Sequence, residues 1–165
     1  MPHEILATMV DPTGLAVDVT TGSGHQLRLD AAGDEGKRGG AGPKEALLAA
    51  LAACTSMDVA TILRKKRQKP TGYQIAVSGD SAAEHPKVFV RISVEHRVSG
   101  AVEPEALRRS IELSATRYCP VSAMLSAGAT VVHHRYRISS TGKRSFEAEG
   151  LVISTGPYRR PDVLA

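Results

Sequence analysis

Gly42-Pro43-Lys44-Glu45-Ala46-Leu47-Leu48-Ala49-Ala50-Leu51-Ala52-Ala53-Cys54-Thr55-Ser56-Met57 is the stretch on which the fold turns. Pro43 suits the first turn of a helix, where its missing N–H costs nothing. Ala and Leu, both good helix formers, fill every position from Ala46 to Ala53. The pattern predicts one long helix from Lys44 to Gln68, ending before Pro70 and Gly72. A helix of that length spans about 37 Å. Its first half is apolar on every side, so it is expected to be buried all round. A small domain rarely surrounds a helix by itself, and a partner subunit is therefore implied. The second half is amphipathic, with Val59, Ile62 and Leu63 set among charges.

Upstream, Ile5 to Val10, Leu15 to Thr20 and Gln26 to Asp30 read as short strands, the first two joined by a turn at Asp11-Pro12-Thr13-Gly14. A glycine-rich loop comes next, with Gly33, Gly36, Gly39, Gly40 and Gly42; its spacing is not that of a phosphate loop. Downstream, Tyr73 to Ser78 and Val88 to Val98 read as strands. In the latter Val88, Val90, Ile92 and Val94 alternate with Phe89, Arg91, Ser93 and Glu95. Pro104 opens a second helix to about Arg117, with Leu107, Ile111 and Ser114 on one face, and a short third helix runs from Pro120 to about Ser126. Val131 to Ile138 and Phe146 to Thr155 read as two more strands. With 165 residues, 42% of them hydrophobic, the chain fits a single domain over residues 1–165. Residues 1–40 supply the N-terminal strands and loop, and 139–165 form a C-terminal extension.

No signal peptide is evident at the N-terminus. The most apolar stretch, Ala46 to Leu63, contains Asp58. The expectation is a soluble, cytoplasmic protein without a membrane partner. Net charge is +4, and the densest basic run is Arg64-Lys65-Lys66-Arg67-Gln68-Lys69. That run closes the long helix, where it complements the negative end of the dipole. No aromatic is interleaved with it, which argues against a nucleic-acid platform.

The chain has two cysteines, 65 positions apart. In a reducing compartment they rest as thiols, and a disulfide between them is transient. Cys119, in Arg117-Tyr118-Cys119-Pro120-Val121-Ser122, caps a predicted helix, so backbone N–H groups can stabilise its anion. Cys54 lies inside the long helix with no dipole end of its own, and its thiolate needs charge from elsewhere in the fold. On local sequence Cys119 is the more acidic thiol. Against these redox roles stands plain packing, for which free cysteines are well suited. Six histidines are present, but no Cys-x-x-Cys or His-Glu-x-x-His spacing occurs, and His133-His134 on a strand point to opposite faces. The spacing thus argues against a metal, and the lack of a Gly-x-Ser-x-Gly elbow argues against a serine hydrolase.

The helix-opening stretch quoted above, together with Tyr118-Cys119-Pro120-Val121-Ser122 downstream, resembles the OsmC/Ohr family, named for osmotically inducible protein C and organic hydroperoxide resistance protein. The resemblance covers roughly residues 15 to 138 and is nearest the YhfA-like branch. It implies an α+β fold: antiparallel-rich sheets wrapped around long central helices in an intertwined homodimer, with the site at the subunit interface. It implies a thiol peroxidase in which Cys54 attacks an organic hydroperoxide, becomes a sulfenic acid and condenses with the resolving Cys119. It implies no bound cofactor, only an external dithiol reductant, of lipoyl type in the Ohr branch. The alternative is a non-peroxidatic, small-molecule-binding or redox-sensing dimer of the same fold. Active peroxidases of the family also use an Arg near the N-terminal hairpin and a Glu just after the helix-opening Pro. Here the turn at Asp11 holds no Arg, and Glu45 stands one place late, after Lys44. A helix regular through Glu45 would set it opposite Cys54, so Glu45 serves only through a later helix start or in the other subunit. Arg28, Arg38 and Arg117 are the substitute guanidinium candidates. Arg38 comes first, because flanking glycines let its loop fold over the site.

Overall fold

The computed structural model of the protein describes residues 3–31, 39–128, 130–140 and 146–156. The chain packs as two compact units, 1–49 and 50–165.

The first unit is built on a three-stranded antiparallel sheet in the order β1 (Ile5–Met9), β2 (Val17–Thr21), β3 (Gln26–Leu29). The turn falls where the sequence puts it. Asp11 Oδ1 accepts the Thr13 N–H and hydroxyl, both at 2.8 Å, and the Gly14 N–H bonds the Asp11 carbonyl. The Val10 N–H also reaches the Ala16 carbonyl, which keeps Leu15 and Ala16 in the connection, so β2 starts two residues later than predicted. Cross-strand partners Asp18 and Arg28 form a two-pronged ion pair at 2.7 and 2.8 Å. Gly40 packs so closely on the Arg28 backbone that any Cβ would collide with its carbonyl oxygen. The unit closes with the start of α1 (Pro43–Lys65). Glu45 Oε2 accepts the Gly42 N–H at 2.6 Å while the Gly42 carbonyl accepts the Ala46 N–H. That exchange satisfies groups which a helix start leaves open.

The second unit carries the rest of α1 and a four-stranded sheet in the order β4 (Lys69–Ser81), β5 (Phe89–Ala101), β6 (Val131–Ser140), β7 (Phe146–Thr155). The helix ends earlier than predicted. Arg67 takes φ +57°, and the N–H groups of Arg67 and Gln68 fold back onto the carbonyls of Arg64 and Leu63. This is a left-handed cap of the Schellman type. The chain then enters β4 at once, with Pro70 and Gly72 inside the strand rather than before it. Pro is tolerated because β4 is an edge strand and the pairing with β5 is bulged between Pro70 and Gly72.

The stretch after Pro86 is one strand, and its predicted alternation changes phase. Ile92 and Val94 are buried as expected, and His96 and Val98 continue their face, yet Phe89 is buried while Val88 and Val90 are exposed. Asp80 pairs with Arg91 and Ser81 with Phe89, so Val90 is the extra residue of a bulge that flips the faces. β5 and β6 run parallel, which requires a crossover connection. That crossover carries α2 (Pro104–Leu113), a π-helical turn (Ser114–Tyr118) and α3 (Pro120–Ser126). The predicted second helix is therefore α-helical only to Leu113. Beyond it the turn widens, and the Cys119 N–H reaches five residues back to the Ser114 carbonyl at 2.9 Å. β7 lies antiparallel beside β6, so the C-terminal extension adds a strand to the chain's own sheet.

The core of this unit joins Val59 and Leu63 of α1 to Val98, Val102, Leu107, Ile111 and Ile138. Within one chain α1 buries a single stripe, Leu51, Thr55, Val59 and Leu63, at four-residue spacing. The all-round burial expected of it is not found in the single chain. One sheet covers only one side of a helix, and Met57 is 68% exposed. By length and composition α1 could also cross a membrane, a test that core helices of soluble proteins pass as well.

Candidate active site

Parallel pairing of β5 and β6 brings the crossover, and with it Cys119, against α1. Cys119 Sγ lies 2.9 Å from Cys54 Sγ. Both are free thiols, Cys119 buried and Cys54 half-buried. Cys119 is the N-cap of α3, with an extended backbone (φ −77°, ψ 103°) and Pro120 in the first turn. Its sulfur accepts the Ser122 N–H at 3.3 Å and faces the Thr55 hydroxyl at 3.6 Å. Burial is the largest influence on Cys54 and pushes its thiol up to about 11. The hydrogen bond with Cys119 and the nearby charges of Cys119 and Asp58 add to this, and only the Val121 backbone N–H pulls it down. The Cys119 thiol donates to Cys54 Sγ.

A mid-helix Cys54 was expected to have no helix end at its disposal. The first turn of α3 in fact offers one free N–H to each sulfur, that of Val121 to Cys54 and that of Ser122 to Cys119. No cation figures among the groups that shift Cys54 within the described residues.

Three residues that sequence reasoning passed over complete the cluster. Asp58 stands four positions after Cys54 on α1, and ligating atoms of Cys54, Asp58 and Cys119 all lie within 4.8 Å of one another. The Ser114 hydroxyl donates to Asp58 Oδ2 at 3.0 Å. Thr55, fully buried, faces Cys119. The four-residue interval between Cys54 and Asp58 was a signal in the sequence, since it puts both on one helix face. Among the described residues, the cluster also brings together donor atoms for a soft metal.

Three of the other expected members have local partners of their own. Arg28 is held by Asp18. Glu45 takes the Gly42 N–H at the start of α1. Arg117 is exposed, with its guanidinium carbon 5.9 Å from the Tyr118 ring centroid. Arg38 lies outside the described residues. Two surface clefts of about 380 and 280 Å³ hold no cysteine.

A row of rings crosses β4, β5 and β6, with Tyr73 half-buried and His96 and His134 buried. Tyr73 Oη lies 2.7 Å from His96 Nδ1, and His96 stacks on His134 with centroids 5.9 Å apart. Burial drives His96 down to about 3 and His134 to about 4. Burial, then the Asp58 charge, pushes the Tyr73 hydroxyl up.

Comparison with known proteins agrees with this architecture. Residues 33–134 match the model of the OsmC-like protein family. Protein YhfA of Escherichia coli K12 is 31% identical over 121 residues, which cover 73% of this chain and 88% of YhfA. Among solved structures, a hypothetical protein from Aquifex aeolicus superposes with a TM-score of 0.75 at 25% identity, over 86% of this chain and 99% of that one. An organic hydroperoxide resistance protein OsmC from Legionella pneumophila gives 0.59 at 17% identity, over 86% and 98% of the two chains, a likeness of fold alone. With an α+β fold shared with those structures and a family match across most of its length, the chain belongs to the OsmC-like family.

Proposed function

We propose that this protein is a thiol-dependent peroxidase of organic hydroperoxides, working through a Cys54–Cys119 disulfide. The observation that carries the reading is the 2.9 Å approach of the two cysteine sulfurs, one of them on a half-buried residue. In the proposed cycle the Cys54 thiolate attacks the outer oxygen of ROOH, the O–O bond breaks, and the alkoxide takes a proton to leave as ROH. The Cys54 sulfenic acid then condenses with the Cys119 thiol and releases water. An external dithiol reduces the disulfide and is itself oxidised.

The Legionella structure bears the name of an organic hydroperoxide resistance protein, which supports this choice of substrate class. A homodimer belongs to the same reading. Ile5 and Leu6 of β1 are 70% and 67% exposed in the single chain, as is Met57 on α1, and such surface calls for a partner. A buried thiolate needs a nearby positive charge, and in this proposal Arg38 supplies it, with Arg117 next in line. Glu45 acts through the other subunit. The cytoplasm, where thiols stay reduced, is the proposed location.

The second reading is a redox-sensing or small-molecule-binding dimer of the same fold. The upward shift of Cys54, with no cation among its causes, favours it. The test is consumption of cumene hydroperoxide and of hydrogen peroxide with a dithiol donor, in wild type, Cys54→Ser and Cys119→Ser. Turnover that requires Cys54, with a trappable sulfenic acid in Cys119→Ser, supports the peroxidase. A disulfide that forms once and never turns over supports the sensor, and a Cys54 that resists oxidation altogether defeats both.

A further inference from the structure

We propose that Cys54, Asp58 and Cys119 form a binding site for a soft divalent cation of the zinc type, filled in the reduced protein and lost when the two thiols join. The ligand set comes from two elements. Cys54 and Asp58 share one face of α1, four positions apart, and Cys119 enters from the crossover between β5 and β6. Their ligating atoms already lie within 4.8 Å of one another. Two sulfurs and a carboxylate oxygen suit zinc and exclude calcium or magnesium, which want oxygen ligands throughout.

The geometry needs little adjustment. Zinc–sulfur bonds of about 2.3 Å in a tetrahedron set two sulfurs about 3.8 Å apart. The thiols stand at 2.9 Å, so side-chain rotation must open them by under about 1 Å. Ser114 already holds one carboxylate oxygen of Asp58 and leaves the other to the metal, the kind of outer support that orients metal ligands. Cys54 and Asp58 are half-buried, so the ion has a way in.

Binding exchanges two thiol protons for one M²⁺: two S–H bonds break, two metal–sulfur bonds and one metal–oxygen bond form, and two protons pass to solvent. Three ionised groups that would repel one another gain a shared cation, and a fourth tetrahedral position stays open to water. Oxidation reverses this. Both metal-bound thiolates together give two electrons to an organic hydroperoxide, which takes two protons to become ROH and water, while the disulfide forms and the metal leaves. Uptake itself does not need peroxidase turnover, so this site and the catalytic reading stand or fall separately.

The test is anaerobic titration of the reduced, metal-stripped full chain with Zn²⁺ against a chromophoric chelator, and with Co²⁺ as a spectroscopic probe. Expected are one metal per chain, about two protons released per metal at neutral pH, and thiolate-to-cobalt charge-transfer absorption. Ser114→Ala should weaken binding about tenfold. Asp58→Asn should weaken it at least as much while sparing the charge-transfer band, and Cys119→Ser should remove half of that band. The disulfide form of the wild type, which needs no substitution, should bind nothing. Absence of saturable uptake by the reduced wild type overturns the site. So does uptake indifferent to Asp58→Asn, or uptake that persists in the disulfide form, since the metal would then lie elsewhere.

Discussion

Neutralising Asp58 should make Cys54 more reactive. The carboxylate and the Cys54 sulfur lie within 4.8 Å. At 4.8 Å two unit charges interact by about 0.9 kcal/mol at the dielectric of water and about 3.5 kcal/mol at an effective value of 20. Each 1.36 kcal/mol is about one pKa unit, so the bracket runs from about 0.6 to about 2.5 units. Both side chains are half-buried, which places the expectation near the lower end, at about one unit. The sign comes from the charge. Removing a negative neighbour stabilises the thiolate, lowers the Cys54 pKa and raises the thiolate fraction at any pH below the midpoint. The assay is alkylation by iodoacetamide as a function of pH, in a Cys119→Ala background that leaves one thiol. Adding Asp58→Asn should shift the midpoint down by about one unit and speed alkylation at pH 7.5 about tenfold. Asn keeps the shape of the side chain and can still accept from Ser114, so a fold change is not the expected cause. An unchanged or higher midpoint would show that the Asp58 charge does not bear on the sulfur, and the electrostatic account of the cluster would fall.

Three more outcomes are expected of the same structure. His96 and His134 are driven from 6.5 down to about 3 and about 4. The unfolded chain therefore binds more protons than the folded one below pH 6.5. Stability present above that pH should drain as it falls toward 4, by up to about 2.7 kcal/mol per unit for the pair. Urea unfolding at pH 7, 6 and 5 checks this, and a flat profile contradicts it. Arg67, at φ +57° in the cap of α1, should welcome glycine. Arg67→Gly is expected to stabilise by up to about 1 kcal/mol, a rise in Tm of about 2–4 °C, whereas a lower Tm would mean that the Arg67 side chain matters more than its backbone. Light scattering should give about twice 17.5 kDa, and Met57→Lys should shift that mass toward the monomer; a folded wild-type monomer would end the homodimer proposal.

Much of this protein was legible in its residues because local forces set it. The Pro43 start of α1, the turn at Asp11 and the short helix after Cys119 each arise from backbone chemistry within a few positions. The burial of Leu107, Ile111 and Ser114 comes from helical spacing. The two cysteines stood out from composition, and family resemblance joined them. What the sequence missed depends on groups distant along the chain. The phase change in β5 comes from a bulge against β4, and the cap that shortens α1 uses a residue, Arg67, without the usual glycine signal. Above all, the environment of Cys54 could not be read locally. Its N–H donor belongs to α3, the carboxylate that opposes its ionisation is positioned by Ser114, and its partner thiol arrives on a crossover that exists because β5 and β6 run parallel. A thiol's ionisation depends on burial and on charges within a few ångströms in space. The sequence alone determined that two thiols and a long apolar helix would be there. That Cys54, Asp58 and Cys119 meet is a result of packing, because close electrostatic contact depends on distance in space and not on position along the chain.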